Sequence, residues 1–300
     1  MTPRVAIHAK ATLGESPWWD GMAGAVWWVD LPVGTIQRHD TRTGRTEMWD
    51  VNEPVTALLF DEDRQPLVAC AGGIRRLTPG GGRQAVVVIE AGEAGRRPND
   101  AACDSRGRLW ISTLDTSYAS GQGRLYRVSD RGAELMAGDF TIPNGIGFSP
   151  DETLMYVADS YQASIDVFDF DRVAGTISNR RRFADVERAD GFPDGLCVDC
   201  EGGIWLALFG GGAVRRYSPG GEVVGQVDLP VTQVTSCAFG GEAMDVLYIT
   251  TARMGDGRPL TSAELEAQPN AGDVFVVQTD VVGMVPHHFA HAHPAAGVGA

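Results

Sequence analysis

The chain has 300 residues, 43% of them hydrophobic, with 38 glycines, 16 prolines and a formal net charge of −14. That length and apolar content allow a large buried core, and the glycine and proline content suits many tight turns. The acidic balance argues against nucleic acid and anionic membrane surfaces as partners, whose phosphates would repel it, and leaves cations and neutral small molecules.

The N-terminus, "MTPRVAIHAKATLGES", lacks the apolar segment of a signal peptide. No run of about 18 apolar residues follows anywhere. Within the N-terminus "VAIHA" reads as an isolated strand. After it come "SPWWDGMAGAVWWVD", "ALLFDEDRQPLVACA", "AACDSRGRLWISTLD", "GIGFSPDETLMYVADS", "GLCVDCEGGIWLALF" and "CAFGGEAMDVLYITTA". Each is a short apolar run, a turn rich in Asp, Gly, Ser or Pro, and a second run with β-branched or aromatic residues, which is a hairpin signal. A third strand follows each: "TIQRHD", "GIRRLT", "RLYRVS", "SIDVFDF", "AVRRYS" and "DVFVVQ". Turns such as "PGGGR" and "SPGGE" then lead to a fourth, weaker strand.

The last apolar residues before the first turn are Trp19, Phe60, Cys103, Phe148, Val198 and Phe239, spaced 41, 43, 45, 50 and 41 residues apart. Four strands at this period predict an all-β six-bladed β-propeller with four antiparallel strands per blade, over residues 1–300 as one domain. "VAIHA" is one candidate for the outer strand of the last blade, where it would close the ring and hide its edges. "LTSAELEAQ" carries a Thr261-x-x-Glu264 capping box and predicts one or two helical turns inserted in the last blade. A two-domain sandwich needs no single period. A Rossmann fold needs a glycine-rich turn between strand and helix, whereas Gly210 to Gly212 lie between two strands.

Four residues before each of those apolar positions stand Glu15, Thr56, Asn99, Asn144, Asp194 and Thr235, all polar at the threshold of an apolar strand. The first strand of each propeller blade lines the central channel, so equivalent positions form a ring at one mouth. A bland reading remains, in which these groups start strands and bond to backbone. The shared phase favours the other: a site for one divalent ion. Glu15 and Asp194 would neutralise its charge and Asn144 would add a neutral oxygen. Such oxygen donors suit calcium, magnesium or manganese, and carboxylates also hold zinc or iron(II).

The five cysteines are scattered, which fits a reducing cytoplasm rather than a disulfide framework. Cys197 and Cys200 form a C-x-x-C without a second pair at zinc-site spacing. "GFSPD" around Ser149 misses the nucleophile-elbow pattern by its last residue and falls in a predicted β-turn. The segment "HHFAHAHP", with His287, His288, His291 and His293, is expected to start as the outer strand of the last blade and to end in a mobile tail from about residue 292.

"LGESPWW", "RPND…GRLW", "IPNGIGFSPD", "FPDGLCVDCEGGIWLALFGGG" and "TSCAFGG…LYITTAR" resemble the senescence marker protein, gluconolactonase and luciferin-regenerating family, from about Leu13 to about Val277. The likeness is closer to its bacterial sugar lactonases. It implies a six-bladed propeller with one divalent metal held by Glu15, Asn144 and Asp194, and Arg97 and Asn99 contacting substrate oxygens. The expected partner is a small sugar lactone, hydrolysed to its aldonic acid. Asp194 is then both ligand and general base, and Arg97 and Asn99 hold hydroxyls or the oxyanion. The alternatives are a non-catalytic cation-binding or interaction propeller and a phosphotriesterase-like hydrolase on the same metal. The loop "DTSYASGQ" points to no substrate.

Overall fold

The structure is a computed structural model and describes all residues except 79–81, 91, 130–131, 256 and 291–300. Six four-stranded antiparallel sheets follow one another along the chain. Their innermost strands are Gly14–Asp20, Val55–Phe60, Arg96–Cys103, Pro143–Phe148, Phe192–Val198 and Val234–Gly240. This is the six-bladed propeller that the repeat predicts. In the second blade the innermost strand is buried at every residue, while the outermost strand of the first blade, Thr46–Asp50, is largely exposed. Hydrophobic runs therefore sit at the hub and alternating or polar runs at the rim.

The ring closes as expected. Arg4–Ile7 pairs with Val274–Gln278 in the sixth sheet, Arg4 opposite Val276. A strand from each end of the chain completes that blade and leaves no unpaired inner edge. The helix Ser262–Ala267 lies between the second and third strands of that blade and carries the Thr261–Glu264 capping box.

Two kinds of aspartate explain the turn motifs. Asp104 and Asp199 follow the innermost strands of the third and fifth blades and are fully buried. Asp104 accepts the backbone N–H groups of Arg106 and Arg108, the Trp110 indole and the Arg108 guanidinium. Asp199 accepts those of Glu201, Gly203, the Trp205 indole and Arg216. Four donors offset the cost of burying each charge, so "D-S-R-G-R-L-W" and "D-C-E-G-G-I-W" are one device used twice. At the opposite end, Asp30 accepts from Thr12 and Leu13, and Asp159 from Thr141 and Ile142. These carboxylates close the second strands of blades one and four and pin the segments that enter the innermost strands.

The His-rich segment departs from expectation. The outer strand of the last blade is the N-terminal one, and residues 284–290 instead cross the end of the channel away from Glu15. Phe289 donates to Phe60 and Ala290 to Gly107, while Met284 to His287 close the channel's inner cavity. The four-strand quota was already filled, so the segment packs across the turns that follow the innermost strands of blades two and three and helps to bury them. His291, His293 and the expected mobile tail lie outside the described residues.

Candidate active site

Each innermost strand carries one bulge, at the position that the sequence marks as polar in five blades and directly after it in the first. In the third blade Pro98 pairs with Thr113 and Ala101 with Ile111, leaving Asn99 and Asp100 opposite a single residue. The same irregularity leaves Asn144 and Gly145 in the fourth blade and Asp194 and Gly195 in the fifth. In the first it begins after Glu15, at Ser16, whose φ is 52°. In the second and sixth it isolates Thr56 and Thr235. A bulge bends a strand and re-aims its side chains, which is how a polar residue opens a buried strand and still faces a cavity.

Four of the six ring positions face the cavity. Glu15, Asn99, Asn144 and Asp194, joined by Arg97, line one cavity of about 250 Å³ at the channel mouth. The two threonines do not. Thr235 donates to the Gly14 carbonyl of the next blade at 2.5 Å, and Thr56 to Ala69 within its own blade at 3.4 Å. For them the bland reading, a hydroxyl satisfied by backbone, is the right one.

Within the cavity the groups are tied to one another. Arg97 donates to the Asn99 Oδ1 at 2.9 Å and to the Pro98 carbonyl at 3.0 Å. Asn99 Nδ2 donates to the Pro143 carbonyl of the next blade at 3.0 Å, so both ends of its carboxamide are engaged. Asn144 Nδ2 donates to the Asp194 carboxylate and to Ser160 Oγ. Gly145 and Gly195 permit this approach, since a Cβ on Gly145 would stand 2.4 Å from the Leu196 nitrogen and one on Gly195 2.1 Å from Ser236 Oγ. The glycines of the "PNG" and "PDG" motifs thus let neighbouring blades come close where their acids and amides meet.

The electrostatics are those of crowded, buried carboxylates. Burial raises Glu15 to about 8, aided by the charge of Asp100 and opposed by the Ser16 N–H and Arg97. Asp194 is pushed well above the usual range by burial first, then by Glu15 and Asp100. Burial also raises Asp100, to about 6. Arg97 is lowered by its own burial, with Tyr118, Glu15 and Asp194 pulling the other way. Two acids and a carboxamide share one small cavity; with the amide turned to present its oxygen they would make a hard donor set, and a divalent cation would relieve the acids of their repulsion. Among the described residues no group of three His, Cys, Asp or Glu side chains stands together as a metal set, so the carboxamide of Asn144 is needed to complete it.

Sequence reasoning missed Asp100 and the aromatic wall. Asp100 adjoins Asn99 and shares its bulge; the only available signal was that a bulge frees two residues rather than one. Tyr118, Tyr161 and Phe192 line the same mouth, from loops and a strand entrance where no period marks them. Two other motifs found their place outside the site. Ser149 sits in a hairpin turn and donates to Asp151 at 2.7 Å. Cys197 faces Cys237 of the next blade, the sulfurs 3.7 Å apart, rather than Cys200.

Residues 13–253 match the family model described as SMP-30/Gluconolactonase/LRE-like region. A regucalcin of Bos taurus is 33% identical over 293 residues, covering 94% of this chain and 96% of its own. The pentonolactonase XacC of Haloferax volcanii is 32% identical over 259 residues, covering 86% and 87%. The crystal structure of a regucalcin from Agrobacterium tumefaciens, described as a calcium-binding protein, superposes with a TM-score of 0.90 at 29% identity over 96% of this chain and 97% of that one.

Proposed function

The chain belongs to the SMP-30/Gluconolactonase/LRE-like family, and from that premise we propose that it is a metal-dependent lactonase that opens a sugar lactone to its aldonic acid. The observation that carries this reading is the convergence of Glu15, Asn144 and Asp194, from blades one, four and five, on one cavity beside Arg97. The lactonase among its relatives and the calcium-binding one both support it.

In this reading Glu15, Asn144 and Asp194 hold one divalent ion, with calcium, magnesium, manganese, zinc and iron(II) all compatible with the donor set. When bound, that ion supplies Lewis acidity to the lactone carbonyl and to water. The chain's own residues do the rest. Asp194 takes the proton of the attacking water through a carboxylate oxygen that the ion leaves free. It then returns that proton to the ring oxygen as the acyl–oxygen bond breaks. Arg97, half-buried and held by Asn99 and by the Tyr118 side chain, turns its guanidinium to the developing oxyanion or to substrate hydroxyls. Asn99 shares this substrate wall and fixes Arg97 in place.

The test is a panel of aldonolactones assayed against a panel of divalent ions, following acid release. Turnover of at least one sugar lactone that chelator abolishes and one ion restores is the expected result. Tight cation binding without turnover of any lactone would make the protein a cation-binding propeller instead.

A further inference from the structure

The two cysteines of the C-x-x-C do not face each other. Cys200 is exposed in the turn after the innermost strand of blade five, where its N–H donates to the Val282 carbonyl. Cys197 lies in that strand, opposite Trp205, and turns to Cys237 in the innermost strand of blade six. Their sulfurs stand 3.7 Å apart although 40 residues separate them in sequence. Each sulfur has a second contact that fixes it. Cys237 donates to the Trp205 carbonyl at 3.4 Å, and the Phe239 N–H donates to the Cys197 sulfur. Both side chains line the inner cavity of the channel, a space of about 170 Å³. A molecule of two heavy atoms has room beside them.

The pair sits where the ring is joined by packing alone. Neighbouring blades share no strand ladder, and blade six is the one assembled from both ends of the chain. It meets blade five through Trp205, Cys237 and Phe239, buried in one apolar cluster. The Trp205 and Phe239 rings lie 5.7 Å apart at 88°. Two residues before Cys197 the strands are already as close as they can be, since a Cβ on Gly195 would stand 2.1 Å from Ser236 Oγ. To bond, the sulfurs need only approach from 3.7 Å to about 2.05 Å, a movement that two side chains share by rotating about their Cα–Cβ bonds.

We propose that Cys197 and Cys237 are a modification site, a thiol pair that hydrogen peroxide closes reversibly into a disulfide stapling blade six to blade five. In the first step one sulfur attacks a peroxide oxygen. The O–O bond breaks, that sulfur becomes a sulfenic acid, and its thiol proton leaves with the departing hydroxide as water. In the second step the other sulfur attacks the sulfenic sulfur. The S–O bond breaks, and hydroxide leaves with the second thiol proton, again as water. Two thiols and one peroxide give one disulfide and two waters, and an added dithiol reverses the bond by exchange. Burial raises the Cys197 thiol well above its ordinary range, and the hydrogen bond with Cys237 adds to this, with the Phe239 N–H opposing. Thiolate is therefore scarce, so the pair closes slowly and answers sustained rather than brief oxidant. Once formed, the bond restrains the unfolded chain across the loop between the two strands. The site needs neither ion nor lactone, so it stands or falls apart from the lactonase reading.

The experiment takes the full reduced chain, exposes it to excess hydrogen peroxide for hours, blocks remaining thiols by alkylation and maps the tryptic fragments by mass spectrometry. Cys197 and Cys200 share the fragment Ala189–Arg215, so Cys200→Ser is mapped beside the wild type. In Cys200→Ser a bond between that fragment and the one holding Cys237 is expected, with dithiothreitol restoring both thiols. The oxidised form should melt about 5 °C or more above the reduced form, and Cys197→Ala and Cys237→Ser should show no such peroxide-dependent rise. No crosslink in Cys200→Ser would overturn the site, as would a Cys197–Cys200 bond in the wild type or a sulfinic acid at Cys197 with Cys237 still a thiol. A crosslinked protein that melts no higher than the reduced one would remove the staple.

Discussion

At Asp194 one carboxylate accepts from Asn144 and faces Glu15 across the mouth. Asp194→Asn keeps the shape but removes both the proposed base and a metal charge. Hydrolysis is expected to fall by at least about 100-fold, the low end of what a positioned base contributes. The metal-free variant should melt at or above the wild-type temperature, because one of two repelling acids is gone. Steady-state rates in metal-replete buffer check the first expectation; a rate within tenfold of wild type would remove Asp194 from the role. Arg97→Ala separates substrate from metal. Arginine donates only and cannot ligate a cation, so metal content should hold while kcat/KM drops by about ten- to a hundredfold, as for the loss of a charged hydrogen bond. Elemental analysis and kinetics on one sample decide it: metal lost in step with activity would make Arg97 a support of the metal site.

The element that builds the site is the bulged innermost strand, and its weak point is the glycine beside each proposed ligand. Gly145 is not at a positive φ; it is needed for space, because a Cβ would enter the backbone of the neighbouring fifth blade. Gly145→Ala should therefore cost about 1–3 kcal/mol as an overpacking change. It should also weaken metal binding, because it pushes Asn144 away from Asp194. Denaturant unfolding with and without metal measures both; a stability within about 0.5 kcal/mol of wild type would mean that the two strands do not meet as described.

Across the whole molecule, a shared ion would tie blade one to blades four and five. Binding to the folded state contributes roughly 2.7 kcal/mol at a hundredfold excess over Kd. Chelator should thus lower the wild-type melting temperature reversibly, and Glu15→Gln should show a much smaller metal response. An equal shift in both proteins would exclude Glu15 as a ligand. The pH dependence has a definite sign. Glu15 is raised in the folded, metal-free protein from the ordinary 4.5 to about 8, so between those values the folded state holds more protons than the unfolded one. Stability from this group is full below about pH 4.5 and is lost as pH rises towards about 8. Metal-free melting temperatures should fall over that window, and Glu15→Gln should fall less. Saturating metal should oppose the trend, since an ion displaces the proton. A wild-type slope that Glu15→Gln leaves unchanged would place the titration elsewhere.

The sequence by itself determined the architecture and the phase of the site. A repeat of 41 to 50 residues with four strands each leaves one way to bury every hydrophobic run, and a polar residue at the same offset in every repeat must arrive at the same height of the channel. That made Glu15, Asn99, Asn144 and Asp194 legible as neighbours although blades separate them, and Arg97 followed from its motif. The offset could not say which polar residues turn inward. Only the bulges and the contacts between blades decided that Thr56 and Thr235 bond to backbone while Asp100 turns to the inner cavity, from where its charge acts on Glu15 and Asp194. The path of residues 284–290 was hidden for a similar reason: with the last blade already complete, its seat depends on surfaces formed by turns far away in sequence. The aromatic wall lay deepest of all. Tyr118 and Tyr161 stand in connections without period and Phe192 opens an innermost strand, and rings separated by 43 and 31 residues meet only because three blades are folded side by side.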